Sequence, residues 1–379
     1  MLYEMKKAVQ AFHRPGIETS PWRMVRNAAP YYLPGDLRVS SPLTIYWSIN
    51  SVCNLRCKMC DVGMFNEEGM FFKNLRIDRK LHEIDIEVFK RVIDEVQHDR
   101  PFIAINSTEP LMYKPLAEAV EHCTRRGLNT GVTTGAYTLP KQADALAEAR
   151  LSRLSVSMDG PPDVHNHIRG RPDSFEKAYE GIEAFAAAAK RVGYRPEIYL
   201  NCTITNMNHH RLVDYYEAVK ALPATTINFT YMWFIDPETA EEHNALYGDR
   251  FAVSPSCYSE WIDPHAVDVD LLHDQIQRLK DEPKVHFSPL FSKEELRTFF
   301  HKPNEFVNKS GRCLATWFFL QILADGGVIV YTRCHSKPMG NINDQSIADI
   351  WNGNEVKGWR RFIQQVGKMP MCKRCDLAY

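Results

Sequence analysis

Three cysteines near the start of the chain have the spacing of a metal-binding loop. Cys53, Cys57 and Cys60 are separated by three and then two residues. Thiolates at this spacing can wrap around one face of a [4Fe–4S] cube, a cluster that is normally held by four protein ligands. Three ligands leave one iron open for chemistry. Zinc is the competing metal, but structural zinc uses four ligands, often in CxxC pairs, so the loop favours an iron–sulfur cluster.

Four more cysteines form a second group near the end of the chain. Cys313 and Cys334 have 20 residues between them, and Cys372 and Cys375 form a CxxC pair. Four thiolates could therefore converge on one metal, and a structural zinc ribbon is one interpretation of such a set.

The elements that must position the first loop alternate between strand-like and helix-like segments. The predicted strands are Leu43–Ile49, Phe102–Ile105, Thr130–Thr134, Arg153–Met158, Glu197–Ile204 and Thr226–Phe234. The predicted helices are Ile86–Val96, Leu116–Arg125, Lys141–Ala149, Ser174–Ala189 and His210–Ala221. This alternation predicts an α/β fold with a parallel sheet, a partial (β/α)6 TIM-like barrel. Ligands of such folds gather at the carboxyl ends of the strands.

The sequence divides into four segments. They are an irregular or partly helical lead-in over 1–42, a core over 43–235, a bridge that should shape the substrate site over 236–312, and a small C-terminal domain over 313–379. A hairpin is predicted in the last segment from Phe318–Leu323 and Val328–Thr332, followed by a helix.

The first cysteine loop and the segments after the later strands resemble the radical S-adenosylmethionine (SAM) superfamily over roughly Leu43 to Phe234. The resemblance implies that the open iron binds the amino and carboxylate groups of SAM. It further implies reductive cleavage of SAM to methionine and a 5′-deoxyadenosyl radical, which abstracts hydrogen from a substrate C–H bond.

The resemblance extends to residues expected to hold SAM. The segment Ser107–Pro110 takes the place of the family's GGEP segment; its two glycines are missing, but Glu109 keeps an acceptor for the SAM ammonium. Ser157–Pro161 resembles the S-x-D-G-P segment, so Ser157 is expected at the ribose, and Asp159 is included among the cofactor-binding residues. Arg169 is expected to pair with the SAM carboxylate, which a guanidinium can clamp with two hydrogen bonds.

Two further positions are expected at the cofactor. Met59 stands where many members carry an aromatic residue against the adenine, and a thioether can also pack on a ring. Asn201, at the end of the fifth predicted strand, is expected to contact the adenosyl group or the substrate.

The C-terminal segment resembles the SPASM extension of radical SAM enzymes or its shortened form, Twitch. A full SPASM extension carries about seven cysteines for two auxiliary clusters by resemblance, whereas four cysteines occur here. We therefore expect a Twitch-like domain with one auxiliary [4Fe–4S] cluster on Cys313, Cys334, Cys372 and Cys375. Such a closed site would leave no vacancy for substrate, so its implied role is electron transfer or tuning.

Enzymes with one such cluster resemble dehydrogenases of sugar-like alcohols, so oxidation of a small-molecule substrate is the predicted reaction. Redox-neutral epimerisation and peptide modification or crosslinking are alternatives, although the short lead-in disfavours a peptide-recognition domain. Cys257, in the bridge, is a hypothetical hydrogen donor. Two other classes stay open: a zinc-stabilised α/β binding protein without catalysis, and a degenerate radical SAM scaffold that serves only as a partner protein.

The composition and net charge of the chain limit the kinds of partner that it is expected to bind. The 379 residues are 44% hydrophobic and 25% charged, with a net charge of −1, which is ordinary for a globular protein and lacks the basic stripe of a nucleic-acid binder. We find no apolar run long enough for a membrane span, so a cytoplasmic location is the default expectation. By resemblance, the reductant should be a flavodoxin or a ferredoxin.

Overall fold

A computed structural model describes residues 21–75, 80–308, 312–334 and 337–375. The first half of the predicted lead-in, residues 1–20, therefore lies outside the described residues. In the described part of the chain, ten strands form one sheet in the order β10-β9-β8-β1-β2-β3-β4-β5-β6-β7. The strands are β1 (Thr44–Trp47), β2 (Phe102–Ile105), β3 (Thr130–Thr134), β4 (Arg153–Ser157), β5 (Glu197–Ile204), β6 (Thr226–Tyr231), β7 (Val285–Ser288), β8 (Phe319–Ile322), β9 (Gly327–Ile329) and β10 (Gly340–Asn341).

Neighbouring strands from β8 through β1 to β7 are all parallel, and only β9 and β10 are added antiparallel. The described residues thus form an open parallel sheet of the partial-barrel type, and the predicted fold class is confirmed. Because the strands run in one direction, their carboxyl ends share one edge of the sheet.

Helices cover the sheet. They are α1 (Pro21–Tyr32), α2 (Asp61–Met64), α3 (Met70–Asn74), α4 (Ile86–Val96), α5 (Leu116–Arg125), α6 (Ala143–Glu148), α7 (Pro162–Arg169), α8 (Ser174–Val192), α9 (Leu212–Val219), α10 (Pro237–Tyr247), α11 (Val269–Leu279), α12 (Lys293–His301), α13 (Ala315–Phe318), α14 (Ile347–Trp351) and α15 (Asn354–Val366). None of these described helices combines the length and apolar character needed to cross a membrane.

Helix α4 shows why these segments fold as they do. Asp85 caps its first turn by accepting hydrogen bonds from the backbone N–H groups of Glu87 and Val88. Its apolar residues fall on one face at helical spacing, and Phe89 on that face packs on Trp47 of β1 with 4.4 Å between ring centroids. Burying this face fixes the helix against the strand that leads into the first cysteine loop.

The C-terminal hairpin does not form a sheet of its own. Its first strand, β8, pairs in parallel with β1, with Leu320 opposite Ile45. The main sheet therefore extends into the segment predicted as a separate small domain. Sequence patterning missed this pairing because the two strands are far apart along the chain and each is only four residues long.

The bridge is more regular than its sequence indicates. It contains α10, α11 and α12, and β7 adds in parallel to β6 with Phe287 opposite Phe229. These two rings stack with centroids 4.8 Å apart. From the sequence alone, the pattern of the bridge predicts one helical stretch, around Leu271–Lys280, and this corresponds to α11 (Val269–Leu279).

Candidate active site

A cavity of about 420 Å³ opens where the parallel strands end. Its walls come from the ends of β1 to β6 and from β8, as expected for the carboxyl edge of a parallel sheet. The predicted site residues that line it are Cys53, Cys57, Met59, Cys60, Glu109, Ser157, Arg169, Asn201 and Cys257. Of the predicted residues that the structure describes, Asp159 and the four C-terminal cysteines lie outside this lining.

The first cysteine loop is held by the C-terminal end of α7. The backbone N–H of Arg56 donates to the carbonyl of Arg169 at 3.1 Å, and that of Lys58 donates to the carbonyl of Ile168 at 2.9 Å. These carbonyls belong to the last turn of a helix, where intrahelical partners run out. Gly170 ends the helix at φ +69°, and a Cβ there would lie 2.8 Å from the Arg56 carbonyl oxygen. Glycine therefore permits both the turn and the close approach.

The three thiols fit a cluster by their donor chemistry. Among the described residues no cysteine forms a disulfide. Burial raises the pKa of Cys53 to about 12 and that of Cys60 to about 11, so a metal must displace protons to bind here. No three described donors converge closely enough for a single ion. A cubane does not require that convergence, because each thiolate binds a different iron.

Glu109 sits at the cavity wall as a buried, partly satisfied carboxylate. Oε1 accepts from the Thr134 hydroxyl at 2.6 Å and from the Leu111 N–H at 3.0 Å, and Oε2 accepts from the Gly135 N–H at 2.9 Å. Burial raises the pKa of this carboxyl, and the Thr134 hydrogen bond opposes the increase. A carboxylate offers about four acceptor sites. Three are used, so one remains for a donor in the cavity.

Gln321, a residue that the sequence did not single out, holds the segment before Glu109 in place through hydrogen bonds. Ser107 occupies one of the missing glycine positions and has φ +88°, a conformation that favours glycine. The Gln321 amide, 1% exposed, donates to Ser107 Oγ at 2.8 Å and to Ser48 Oγ at 2.9 Å. Its carbonyl accepts from the N–H of Thr332 at 3.0 Å. The C-terminal segment thus supports the backbone of the cavity wall.

Arg169 and Asp159 form a buried ion pair beneath the cysteine loop. The Asp159 carboxylate pairs with Arg169 Nη2 and accepts from the Thr203 N–H at 2.9 Å. Arg169 Nη1 donates to Cys57 Sγ at 3.5 Å, and Nε has no hydrogen-bond partner among the described residues. Asp159 thus does not line the cavity itself but contacts Arg169, which does. The Nε–H group of Arg169 is left as a donor that no described residue uses.

The remaining predicted cofactor residues line the cavity from different places: Ser157 from the end of β4, and Asn201, which was expected at the end of its strand, from within β5 three residues before its end. Ser157 ends β4 and pairs in register with Asn201 of β5. Asn201 Oδ1 accepts from Asn228 Nδ2 at 3.3 Å, which orients the amide. Met59 lines the cavity from the cysteine loop. Their contacts with a cofactor stay predictions.

Cys257 is brought to the cavity by a contact that the sequence did not predict. Asp61, the residue after Cys60, accepts from the Cys257 N–H at 2.8 Å and from the Ser256 hydroxyl. Ser256 in turn bridges to Ile235 at the end of the core. The bridge segment is therefore fastened to the cysteine loop. Asp61 directly follows a predicted ligand, but its partners are almost 200 residues away, so no local pattern could reveal them.

Three of the four C-terminal cysteines that are predicted to bind the auxiliary cluster lie near one lysine. The Lys368 ammonium interacts electrostatically with the thiols of Cys313, Cys372 and Cys375, so these three share one neighbourhood. Cys372 is buried, which raises its pKa to about 12. Cys334 lies after the cavity residue Arg333, and its N–H donates to the Tyr331 carbonyl at 3.0 Å. Its convergence with the other three stays a prediction.

Comparisons with known proteins match both cysteine groups. A family model for the radical SAM superfamily matches residues 47–219, and one for an iron–sulfur cluster-binding domain, SPASM, matches residues 313–376. An AdoMet-dependent heme synthase of Methanosarcina barkeri is 24% identical over 346 residues, covering 88% of this chain and 89% of that protein. A GTP 3′,8-cyclase of Listeria welshimeri is 30% identical over 181 residues, covering 46% and 49%. The structure of native anSMEcpe with bound AdoMet and Cp18Cys peptide aligns with a TM-score of 0.58 at 18% identity, covering 89% of this chain and 88% of that chain, a likeness of fold.

Proposed function

Because the chain belongs to the radical SAM superfamily and carries a SPASM-type cluster-binding domain, we propose that it abstracts hydrogen from a C–H bond of a small-molecule substrate and oxidises it. The observation that carries the proposal is that Cys53, Cys57 and Cys60 line the same cavity as most of the residues expected to bind SAM, namely Met59, Glu109, Ser157, Arg169 and Asn201. When bound, the first cluster and SAM supply a 5′-deoxyadenosyl radical, and the auxiliary cluster supplies an acceptor for a second electron.

Different residues of the chain would bind different parts of SAM. Glu109 keeps one acceptor site free for the SAM ammonium, and Arg169 keeps its Nε for the carboxylate. Ser157, at the end of β4, and its register partner Asn201 in β5 both line the cavity, where they would contact the ribose and the adenosyl group or substrate. Met59 would pack on the adenine. Holding the cofactor in one orientation is the main contribution that a protein makes to such chemistry.

The composition of the cavity wall supports a hydroxyl-bearing substrate. Beyond the expected SAM contacts, the wall contains neutral hydrogen-bonding side chains, among them Asn106, Thr203 and Thr230. Such groups can bind hydroxyls without the cost of burying an unpaired charge. The match to a heme synthase over most of both chains further supports a small-molecule substrate rather than a peptide.

Redox-neutral epimerisation is the second candidate, because Cys257 lines the same cavity. In that reaction one substrate hydrogen would be abstracted, and the Cys257 S–H bond would break as a new substrate C–H bond forms, so the thiol hydrogen enters the product. The thiyl radical left on Cys257 would return to the thiol by taking one electron from the flavodoxin- or ferredoxin-type reductant and one proton from solvent. In the oxidation, the substrate loses two hydrogens and none returns. The two reactions therefore differ in whether solvent hydrogen, carried by the thiol, appears in the product.

Turnover in D2O with a panel of small alcohols separates the two candidates. Oxidation predicts a product two mass units lighter than substrate, one 5′-deoxyadenosine per product, and unchanged turnover in Cys257→Ala. Epimerisation predicts one deuteron in the product and loss of turnover in Cys257→Ala. If 5′-deoxyadenosine forms but no small alcohol transfers hydrogen to it, the substrate proposal is wrong and peptides become the next panel.

A further inference from the structure

The guanidinium of Arg169 lies between a predicted cluster ligand and a buried carboxylate. Nη1 donates to Cys57 Sγ at 3.5 Å, and Nη2 pairs with Asp159. The side chain of Arg169 is only 10% exposed, and that of Asp159 is 0% exposed. We propose that Asp159 holds Arg169 against Cys57 so that its positive charge raises the reduction potential of the first cluster. This inference rests on the cluster that the proposed function places in the loop, but not on the substrate or its fate.

The direction of the proposed change in reduction potential follows from electrostatics. A reduced cluster carries one more negative charge than an oxidised one, so a nearby cation favours reduction. Hydrogen bonds to the cluster sulfurs and the net charge around them are among the levers by which proteins set these potentials. Arginine keeps its proton in proteins, so its charge is permanent. Because Arg169 is buried, solvent and salt screen it little.

The position of the guanidinium is fixed without any ligand. Asp159 Oδ1 accepts from the Thr203 N–H at 2.9 Å, and the Asp159 carbonyl accepts from Asn208 Nδ2 at 2.8 Å. The Asp159 N–H donates to His165 Nδ1 at 3.1 Å. The backbone of Arg169 is also held, since its carbonyl accepts from Arg56. Asp159 is thus a positioning residue for a cation that would touch the cluster's own ligand.

A neighbouring arginine provides the matched control. Arg171 donates to the carbonyl of Asn54, in the same cysteine loop, at 3.0 Å. Its side chain is exposed, so water screens its charge. Replacement of Arg171 therefore tests a nearby cation with a loop contact but without burial or a contact to sulfur.

The first test is an anaerobic redox titration of the full, cluster-loaded chain without SAM, followed by EPR. The signal of the first cluster is identified in the unaltered chain by its change on SAM addition. In Arg169→Gln we expect the ratio of reduced to oxidised cluster at a fixed potential to fall about tenfold, which corresponds to about 59 mV for one electron. Arg169→Lys should shift it less, and Arg171→Gln by less than twofold. Equal midpoints in Arg169→Gln and Arg171→Gln would overturn the inference.

A second measurement covers failure of Arg169→Gln to retain iron. Pulsed EPR of the reduced, unaltered chain, labelled with 15N only in arginine and free of SAM, reports nitrogen close to the cluster. We expect a 15N coupling that disappears in Arg169→Lys and persists in Arg171→Gln. Absence of that coupling in the unaltered chain would contradict the contact. Neither readout depends on 5′-deoxyadenosine, so this inference can fail while the proposed function stands, and the reverse.

Discussion

Replacing Gly170 with alanine should damage the cysteine loop, and replacing Gly193 provides a matched control. Both glycines end a helix in the left-handed region, at φ +69° and +79°. Alanine in that conformation costs roughly 1–2 kcal/mol at either position. At Gly193 nothing lies within 4 Å of the added Cβ. At Gly170 the Cβ would meet backbone and side-chain atoms of Arg56 at 2.8 Å.

The extra cost at Gly170 can be worked out from the contacts. Backbone atoms of Arg56 cannot rotate away, so the loop and the helix end must separate. That movement breaks the hydrogen bonds from Arg56 and Lys58 to the last carbonyls of α7. Each is worth about 1 kcal/mol, so Gly170→Ala should lose about 2 kcal/mol more unfolding free energy than Gly193→Ala.

Chemical denaturation of the cluster-free chain measures this difference, and iron content after anaerobic reconstitution reports the loop directly. We expect Gly193→Ala to retain normal iron and Gly170→Ala to lose most of the iron of the first cluster. Equal stability and equal iron in the two variants would refute the claim that the end of α7 holds the cysteine loop.

Three further predictions concern other parts of the site. Gln321→Ala should lower the unfolding free energy by about 3 kcal/mol, measured by denaturation, because it leaves the buried Thr332 N–H unpaired; a loss below 1 kcal/mol would contradict the bracing role. Cys372→Ala should reduce bound iron from about eight to about four per chain while SAM cleavage continues; full iron would contradict its role as a ligand. Burial lowers the pKa of His165 well below its usual value, so its contribution to stability is lost as pH falls below about 6.5, with a slope of up to about 1.4 kcal/mol per pH unit. Denaturation at several pH values should show a shallower loss in His165→Gln, and identical slopes would refute a neutral buried histidine.

The core elements were predictable from the sequence where the patterns are local. The predicted bounds of β2, β3 and β5 coincide with those observed, because apolar and β-branched residues dominate each of these segments. The positions of the predicted site residues around one cavity could be inferred from the sequence because their motifs end or follow β1, β2 and β4, whose carboxyl ends share one edge of the sheet; the roles of these residues stay predictions. The metal-binding roles of the cysteines stay predictions that rest on their spacing, which is also a local pattern.

The missed features depend on contacts between distant segments. The pairing of β8 with β1 and the braces made by Gln321 and Asp61 join residues about 200 or more positions apart. A buried glutamine or aspartate next to a motif has no periodicity that reveals its partner. Asp159 illustrates the same limit, since its motif indicates the cofactor but its carboxylate is committed to Arg169.

The most direct test of the account is anaerobic purification and reconstitution, followed by iron, sulfide and zinc analysis and incubation with SAM and dithionite. The account predicts about eight irons per chain and formation of 5′-deoxyadenosine, both dependent on Cys53, Cys57 and Cys60. About four irons with SAM cleavage would remove the auxiliary cluster and with it the support for oxidation. Zinc without iron, and no 5′-deoxyadenosine, would contradict the central claim.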